Sequence, residues 1–135
     1  MHEMRMRVQW GETDAAGIVF YPNYFRWFDT ATHEYFRMIG LSIRELQKKG
    51  VITPILSASC EFENPLYYDD EIVITSEITE VRNKTIRIDH TVRRAGIVTG
   101  RGHEWRGWVV EQGGKLQAIP IPDDVLERLR SARVS

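Results

Sequence analysis

Residues 22–40 are PNYFRWFDTATHEYFRMIG, and apolar side chains recur in this stretch at steps of three and four residues. This period is typical of an amphipathic helix. Pro22 suits the first helical position, and Gly40 suits the position after the last turn. The stretch predicts one helix of about five turns, and its aromatic side chains require a broad surface to cover them. The predicted buried stripe consists of Tyr24, Trp27, Phe28, Ala31, Tyr35, Met38 and Ile39.

Most of the chain around this helix has the two-residue period of β-strands. Residues 4–10 predict one strand before the helix, and Ser42 is positioned to cap a short second helix over residues 42–49. Later strands are predicted at 53–65, 71–81, 84–94, 97–112 and 115–120, and a terminal helix follows within 120–132. One long helix with consecutive antiparallel strands predicts an α+β fold. We expect a single hot-dog domain over residues 1–135, with the antiparallel sheet wrapped around the long central helix.

Composition excludes several classes of protein. The chain has 135 residues, 42% of them hydrophobic and 27% charged, and its formal net charge is −1. This charge provides no basic surface for nucleic acid, and no apolar run approaches the roughly 20 residues of a membrane span. The N-terminal residues lack the apolar segment of a secretory signal. The single cysteine, Cys60, cannot form an intrachain disulfide, so we expect a cytoplasmic protein.

Common catalytic motifs are missing from the sequence. The dipeptides His33-Glu34 and His103-Glu104 do not continue to H-E-x-x-H, and the remaining histidines and cysteine show no ligand spacing. We therefore expect no metal and no cofactor. Cys60 shares a strand face with apolar residues and is interpreted as a buried structural thiol. His90 lies among isoleucines and is interpreted as a hydrogen-bonded core histidine.

The loop before the long helix, WGETDAAGIVFYPNY at residues 10–24, holds the remaining candidate chemistry. Asp14 is a carboxylate placed just before a helix start, where unpaired N–H groups can polarise a carbonyl or stabilise an oxyanion. Gly17 would permit close approach of the backbone to a ligand. Spacing alone favours the simpler interpretation, in which the acidic residues turn the chain and cap the helix.

The stretch VQWGETDAAGIVFYPNYFRWFD resembles the signature of the 4-hydroxybenzoyl-CoA thioesterase family of hot-dog proteins, in which D-x-x-G-x-V-x-Y-x-N-Y precedes the central helix. The similarity continues through TPILSASCEFENPLYYDDEIVI, RNKTIRIDHTV and AIPIPDDV, and so covers nearly the whole chain. It implies an enzyme that hydrolyses acyl-CoA thioesters. The form AAGIVFYPNY points to the branch of the family that acts on aromatic acyl groups.

The resemblance also implies roles for particular residues. Asp14 matches the catalytic aspartate, which attacks the thioester or activates water, and the Tyr21 backbone N–H matches the donor to the thioester carbonyl. Asn23 matches an asparagine that orders the loop. Gly17 and Tyr24 are assigned to substrate binding, within an acyl pocket formed by Phe20, Tyr24 and Trp27.

Further residues match the family's substrate contacts. Asp29 and Thr53 match groups near the substrate ring, with a solvated carboxylate and a strand-start hydroxyl as equally good alternatives. Arg82 and Lys84 match a basic cluster that binds the phosphates of coenzyme A, although surface charge alone would explain each. Glu34 on the helix is a reserve candidate for the catalytic carboxylate.

The expected function is hydrolysis of an aroyl-CoA, such as 4-hydroxybenzoyl-CoA or benzoyl-CoA, by a homotetramer built as a dimer of dimers. A short-chain aliphatic acyl-CoA or acyl-carrier-protein thioesterase is the alternative within the same class. A hot-dog dehydratase or hydratase, and a thioester-binding module without turnover, are alternatives from other classes. The dehydratase is disfavoured because no histidine accompanies Asp14 in its loop.

Overall fold

The computed structural model describes residues 1–134. The chain begins with strand β1 (His2–Arg7) and a 3₁₀ turn at Trp10–Glu12, and the long helix α1 follows at Pro22–Met38. The remaining elements are α2 (Ile43–Lys48), β2 (Val51–Ile52), β3 (Ile55–Phe62), β4 (Glu71–Val81), β5 (Thr85–Arg94), β6 (Ile97–Gly107), β7 (Val109–Gln112), β8 (Lys115–Ala118) and α3 (Asp123–Val134).

The strands form two antiparallel sheets. The larger sheet has the order β1-β4-β5-β6-β3, and the smaller has the order β2-β7-β8. Alternate residues of β4 and β5 face α1 and are fully buried, including the predicted Ile72, Ile74, Ile86 and Ile88. The large sheet thus covers the aromatic stripe of α1. The predicted α+β hot-dog fold is confirmed.

Two glycines of β6 allow the sheet to approach α1 closely. A Cβ atom added at Gly100 would lie 2.6 Å from a ring carbon of Tyr24, and one added at Gly102 would lie 2.6 Å from a ring carbon of Phe28. Real Cβ atoms do not approach so closely, because protein interiors are already densely packed. These two positions therefore determine how deeply the helix sits in the curve of the sheet.

The ends of several elements match their predicted signals. Pro22 occupies the first turn of α1, and Gly40 follows the helix with φ +81°. The Ser42 hydroxyl accepts a hydrogen bond from the Glu45 backbone N–H at the start of α2. Ala95 and Gly96, with φ of +49° and +79°, form the tight turn between β5 and β6.

Other details differ from the prediction. β1 ends at Arg7 rather than at residue 10, and the predicted strand 97–112 is interrupted at Trp108, whose buried side chain marks the change from the large sheet to the small one. β3 is an edge strand, so its apolar face is exposed and Cys60 is half-buried instead of buried. The single domain over 1–135 stays a prediction, and its last residue, Ser135, lies outside the described residues.

Candidate active site

The loop that carries Asp14 is fastened to α1 through Glu12. One Glu12 carboxylate oxygen accepts the Gln9 backbone N–H at 2.7 Å, and the other accepts the Trp27 indole N–H at 2.7 Å. The Glu12 carbonyl accepts the Asn23 side-chain amide at 2.9 Å and the Phe20 backbone N–H at 2.8 Å. Asn23 therefore orders the loop, as expected. Both carboxylate oxygens and the carbonyl oxygen of Glu12 accept hydrogen bonds that hold the loop in place.

Asp14 lies at the exposed tip of this loop. Its Oδ1 accepts the Ala16 backbone N–H at 2.8 Å, and its own N–H donates to the Ile18 carbonyl at 2.9 Å. Within residues 1–134, Oδ2 accepts no hydrogen bond. Gly17 follows with φ +82°, a conformation that favours glycine, and a Cβ atom there would meet nothing within 4 Å. The loop conformation alone therefore explains this glycine.

Tyr21 immediately precedes α1 and has helical backbone angles, φ −54° and ψ −33°. Among the described residues, no acceptor lies within hydrogen-bond distance of its backbone N–H. Helix N-termini carry such free donors together with the positive end of the helix dipole. The Tyr21 amide is therefore an unused donor at the start of α1 among the described residues.

A cavity of about 280 Å³ lies beside Tyr21. Phe62, at the end of β3, packs edge-to-face on Tyr21 and Tyr24, with ring centroids 6.1 Å and 5.0 Å apart. The buried Tyr24 hydroxyl lies 3.1 Å from the Thr99 hydroxyl, and burial raises the pKa of Tyr24. Of the three aromatic residues expected in an acyl pocket, Tyr24 lines this cavity, Phe20 does not, and Trp27 belongs to the core.

Asp29 and Thr53, both predicted at the substrate ring, are joined by a residue that the sequence analysis missed. Arg106 of β6 is buried, and its Nη2 donates to Asp29 Oδ1 at 2.8 Å. Its Nη1 donates to the Thr53 carbonyl at 3.1 Å. His33 Nε2 lies 3.5 Å from the same Asp29 oxygen, one helical turn further along α1. Neither Asp29 nor Thr53 lines the cavity beside Tyr21.

Arg106 also belongs to a buried polar network under α1. Its Nη2 lies 2.8 Å from Glu104 Oε2, while Glu104 Oε1 lies 2.9 Å from His90 Nε2 and accepts the Thr32 hydroxyl. Burial alone would raise the pKa of Glu104. The hydrogen bond with His90 and the charge of Arg106 outweigh burial and lower the pKa to about 2.

The second ring nitrogen of His90, Nδ1, lies 2.8 Å from the Ser76 Oγ. The His90 ring stacks on the Phe28 ring, with centroids 4.6 Å apart. The interpretation of His90 as a hydrogen-bonded core histidine is confirmed. A sequence signal for its network exists, because Glu104 and Arg106 are opposite charges two residues apart on a strand with a buried face.

The remaining candidates lie elsewhere on the surface. Arg82 lies in the turn before β5, with its guanidinium 4.4 Å from the centre of the Trp105 ring and 3.0 Å from Glu80. Lys84 is exposed in the same turn. Glu34 pairs with Arg37 at 2.6 Å on the exposed side of α1.

A groove of about 640 Å³ lies along β1, β4 and β5 and contains none of the predicted site residues. Within residues 1–134, no group of three or more His, Cys, Asp or Glu side chains could hold a metal ion. No helix of this part of the chain has the length and apolar character to cross a membrane.

Comparisons with known proteins identify relatives along almost the whole chain. A profile of the thioesterase-like superfamily matches residues 8–129. The 4-hydroxybenzoyl-CoA thioesterase of Pseudomonas sp. (strain CBS-3) is 36% identical over 132 residues, which cover 92% of this chain and 94% of that enzyme.

Two solved thioesterase structures also match almost the whole chain. A mutant of 4-hydroxybenzoyl CoA thioesterase complexed with 4-hydroxybenzoyl CoA matches with a TM-score of 0.87 and 34% identity, covering 95% of this chain and 97% of the other. A gentisyl-coenzyme A thioesterase matches with a TM-score of 0.85 and 37% identity, covering 96% of this chain and 99% of the other.

Proposed function

We propose that this chain, which belongs to the thioesterase-like superfamily, hydrolyses an acyl-CoA thioester to a carboxylate and free coenzyme A. The observation that carries this proposal is the loop before α1, in which Asp14 keeps one carboxylate oxygen free of hydrogen bonds and the Tyr21 backbone N–H donates none among the described residues. An aroyl-CoA is the proposed substrate, because the similar enzymes named above act on 4-hydroxybenzoyl-CoA and gentisyl-CoA.

The proposed reaction begins when the thioester carbonyl oxygen accepts the Tyr21 N–H. Asp14 then attacks the carbonyl carbon, or removes a proton from a water molecule that attacks it. Negative charge develops on the carbonyl oxygen and is stabilised by the Tyr21 amide and the helix dipole. The C–S bond breaks and the thiolate of coenzyme A leaves, and on the general-base route it takes up the proton that Asp14 removed from water. On the nucleophilic route, water then hydrolyses the mixed anhydride and regenerates Asp14.

In this proposal, the binding site for the acyl ring is formed by residues from two copies of the chain. Asp29 lies eight residues beyond Tyr21 on α1, about 12 Å along the helix axis, which is farther than a benzoyl group reaches. β3 is an edge strand, and two of its large apolar side chains are exposed, Leu56 at 57% and Phe62 at 48%. Unpaired strands with an exposed apolar face commonly pair with a second copy.

A two-fold axis through the middle of β3 would place the Ile55 end of one strand against the Phe62 end of the other, because the paired strands run antiparallel. The Thr53, Asp29 and Arg106 group of one copy would then approach the Tyr21 cavity of its neighbour. We propose this arrangement for the dimer. The dimer of dimers implied by the family resemblance stays a prediction, which light scattering of the purified protein can test.

The phosphates of coenzyme A are assigned to Arg82 and Lys84. The support is the exposure of both side chains in one turn, where the Arg82 guanidinium lies over the ring of Trp105. Replacing both with glutamine should raise KM for acyl-CoA while changing kcat little, because the phosphates lie far from the reacting carbon. A cytoplasmic location, which was expected from the sequence, also stays a prediction.

Thiol release from a panel of acyl-CoA and acyl-carrier-protein thioesters tests the function. We expect the wild type to prefer aroyl-CoA, and Asp14→Asn to lower kcat at least a hundredfold. Glu34→Gln is the matched control, because Glu34 is the reserve carboxylate on α1. Preference for butyryl-CoA or acyl-carrier protein would favour the aliphatic alternative. Binding without thiol release would favour a hydratase or a binding module, and full activity of Asp14→Asn would refute the mechanism.

A further inference from the structure

We propose that Glu12 is a positioning residue of the thioesterase reaction, which fixes where the Asp14 carboxylate lies relative to the Tyr21 backbone N–H. In this role Glu12 does not itself react with the substrate. The inference rests on the proposed function and deepens it by naming the group that holds the two halves of the site together. It starts from the hydrogen bonds of Glu12, which the comparisons do not address.

Asp14 and Tyr21 lie on two segments of the loop, which one hydrogen bond joins directly. Asp14 follows Glu12 by two residues, and Tyr21 follows Phe20 by one. The Phe20 backbone N–H donates to the Glu12 carbonyl at 2.8 Å. Glu12 is therefore the residue at which the entrance and the exit of the loop meet.

Glu12 also connects these joined segments to the first two turns of α1. Its Oε2 accepts the Trp27 indole N–H at 2.7 Å, and its carbonyl accepts the Asn23 side-chain amide at 2.9 Å. Its Oε1 accepts the Gln9 backbone N–H at 2.7 Å. Hydrogen bonds to an ionised carboxylate are among the stronger ones in proteins. A single side chain thus links the loop entrance to the helix.

The hydrogen bonds of Asp14 itself do not reach α1. Oδ1 accepts the Ala16 backbone N–H, and the Asp14 N–H donates to the Ile18 carbonyl, so both partners lie within the loop. These two bonds determine the shape of the turn but not its place against the helix. The shortest hydrogen-bonded path from Asp14 to α1 runs through Glu12.

Trp27 gives this path a fixed end. It is 3% exposed, and its ring lies 5.0 Å from that of Tyr24, centroid to centroid. The indole N–H is therefore a donor whose position the core determines. Rates depend steeply on such placement, because a displacement of about 1 Å can cost roughly a hundredfold. We therefore expect a change at Glu12 to act on the attack by Asp14 or its water molecule.

The test measures thiol release by Glu12→Gln, with the acyl-CoA that wild type hydrolyses fastest. Glutamine has nearly the same shape, but its N–H₂ group must face either the Gln9 N–H or the Trp27 N–H, and two donors cannot pair. The loop should shift, so kcat should fall at least about tenfold while KM changes less than about threefold.

Combination with Trp27→Phe separates positioning from the other roles of Glu12. Phenylalanine removes one of the two donors, so the glutamine N–H₂ group meets no donor there and the glutamine oxygen still accepts the Gln9 N–H. In this background Glu12→Gln should lower kcat by less than about threefold. Direct reaction of Glu12 with substrate would instead give the same factor in both backgrounds. Loss of folded protein, followed by circular dichroism, would make the double variant the least active. Either result would overturn the proposal.

A second variant keeps the proposal testable if Glu12→Gln does not fold. Glu12→Asp keeps the charge but is one methylene shorter, so it reaches only one of the two donors, and its kcat should fall at least about threefold. Glu45→Gln is the control, because Glu45 forms an exposed ion pair with Lys48 at 3.2 Å and should leave kcat unchanged.

Failure of this inference is distinguishable from failure of the proposed function. If wild type releases thiol from no acyl-CoA, the proposed function fails. If wild type is active and both Glu12 variants keep kcat within twofold of it, the positioning role is refuted while the thioesterase function stands.

Discussion

Replacement of Glu104 by glutamine should destabilise the fold strongly and in a pH-dependent way. Glu104 is 2% exposed, and its carboxylate contacts Arg106, His90 and Thr32. Glutamine has nearly the same shape but no charge. It would leave Arg106 with a single charged partner, Asp29, and would present an N–H₂ group to the guanidinium or to His90.

The pKa of Glu104 gives the magnitude. It falls from an ordinary value of 4.5 to about 2 in the folded protein, because the hydrogen bond with His90 and the charge of Arg106 outweigh burial. At about 1.4 kcal/mol per unit of pKa, the ionised group contributes roughly 3 kcal/mol to the free energy of unfolding. Removal of one partner from a buried ion pair produces losses of about 3–5 kcal/mol in other proteins.

The direction of the pH dependence follows from the lowered pKa. The contribution is fully present above the unfolded-state pKa near 4.5 and is lost as the pH falls toward 2. The variant lacks it at every pH. The difference between wild type and Glu104→Gln should therefore be about 3 kcal/mol at pH 7 and should shrink by about 2 kcal/mol by pH 3.

Urea denaturation followed by tryptophan fluorescence measures this difference, at one protein concentration because the proposed dimer would contribute to stability. Glu45→Gln is the control, since Glu45 forms an exposed ion pair with Lys48 at 3.2 Å and should change stability by less than about 1 kcal/mol. A Glu104→Gln loss below 1 kcal/mol at pH 7, or one that is the same at pH 3, would refute the reasoning.

Two further variants test the packing and the loop. Gly102→Ala should lower the free energy of unfolding by about 2 kcal/mol and the melting temperature by about 6 °C, because the new Cβ atom meets the backbone carbonyl oxygen of Ser59 and the ring of Phe28. Gly11→Ala, whose Cβ atom meets nothing within 4 Å, should change the melting temperature little, and equal effects would contradict this account. Trp27→Phe removes the donor to Glu12 and should lower kcat about tenfold while circular dichroism stays unchanged. A kcat within twofold of wild type would show that this hydrogen bond does not position the loop.

The elements that could be predicted from the sequence are those whose signals are local. Side-chain period and end residues determined α1 to within two residues, because Pro22 and Gly40 fit only particular backbone positions. The same period identified the buried face of β5. The three- and four-residue period also predicted that Met38 is buried, but Met38 is 58% exposed. The period alone therefore does not determine burial at the end of the helix. The local pattern tells which residues share a face, and packing then determines how far along the helix that face is covered.

The Arg106 network could not be predicted in the same way, because its members meet only in the folded chain. Asp29 and Arg106 are separated by 77 positions, and Thr53 and Arg106 by 53. The prediction for β3 failed for a different reason, which concerns burial. The alternation holds for Ala58, Cys60 and Phe62, but a register shift between Ile55 and Ser57 interrupts it at Leu56. A pattern also does not state what covers a face, and in the described part of the chain Leu56 is 57% and Phe62 48% exposed.

The two carboxylates of the loop show how structure separates roles that sequence leaves equivalent. Glu12 and Asp14 lie two residues apart and are both ordinary acidic loop residues by composition. In the folded chain both oxygens of Glu12 accept hydrogen bonds, from Gln9 and Trp27, so Glu12 holds the loop to α1 with its whole carboxylate. Asp14 uses one oxygen to hold its own turn, with Ala16, and leaves the other free.

Asp29 follows the same rule, because Arg106 occupies one of its oxygens and leaves the second open to solvent. At both positions one oxygen fixes the direction of the side chain, and the other is available to a ligand. A carboxylate held in this way is oriented by one oxygen and can still contact a ligand through the other. This is the physical reason for assigning the catalytic role to Asp14 and the contact with the acyl group to Asp29.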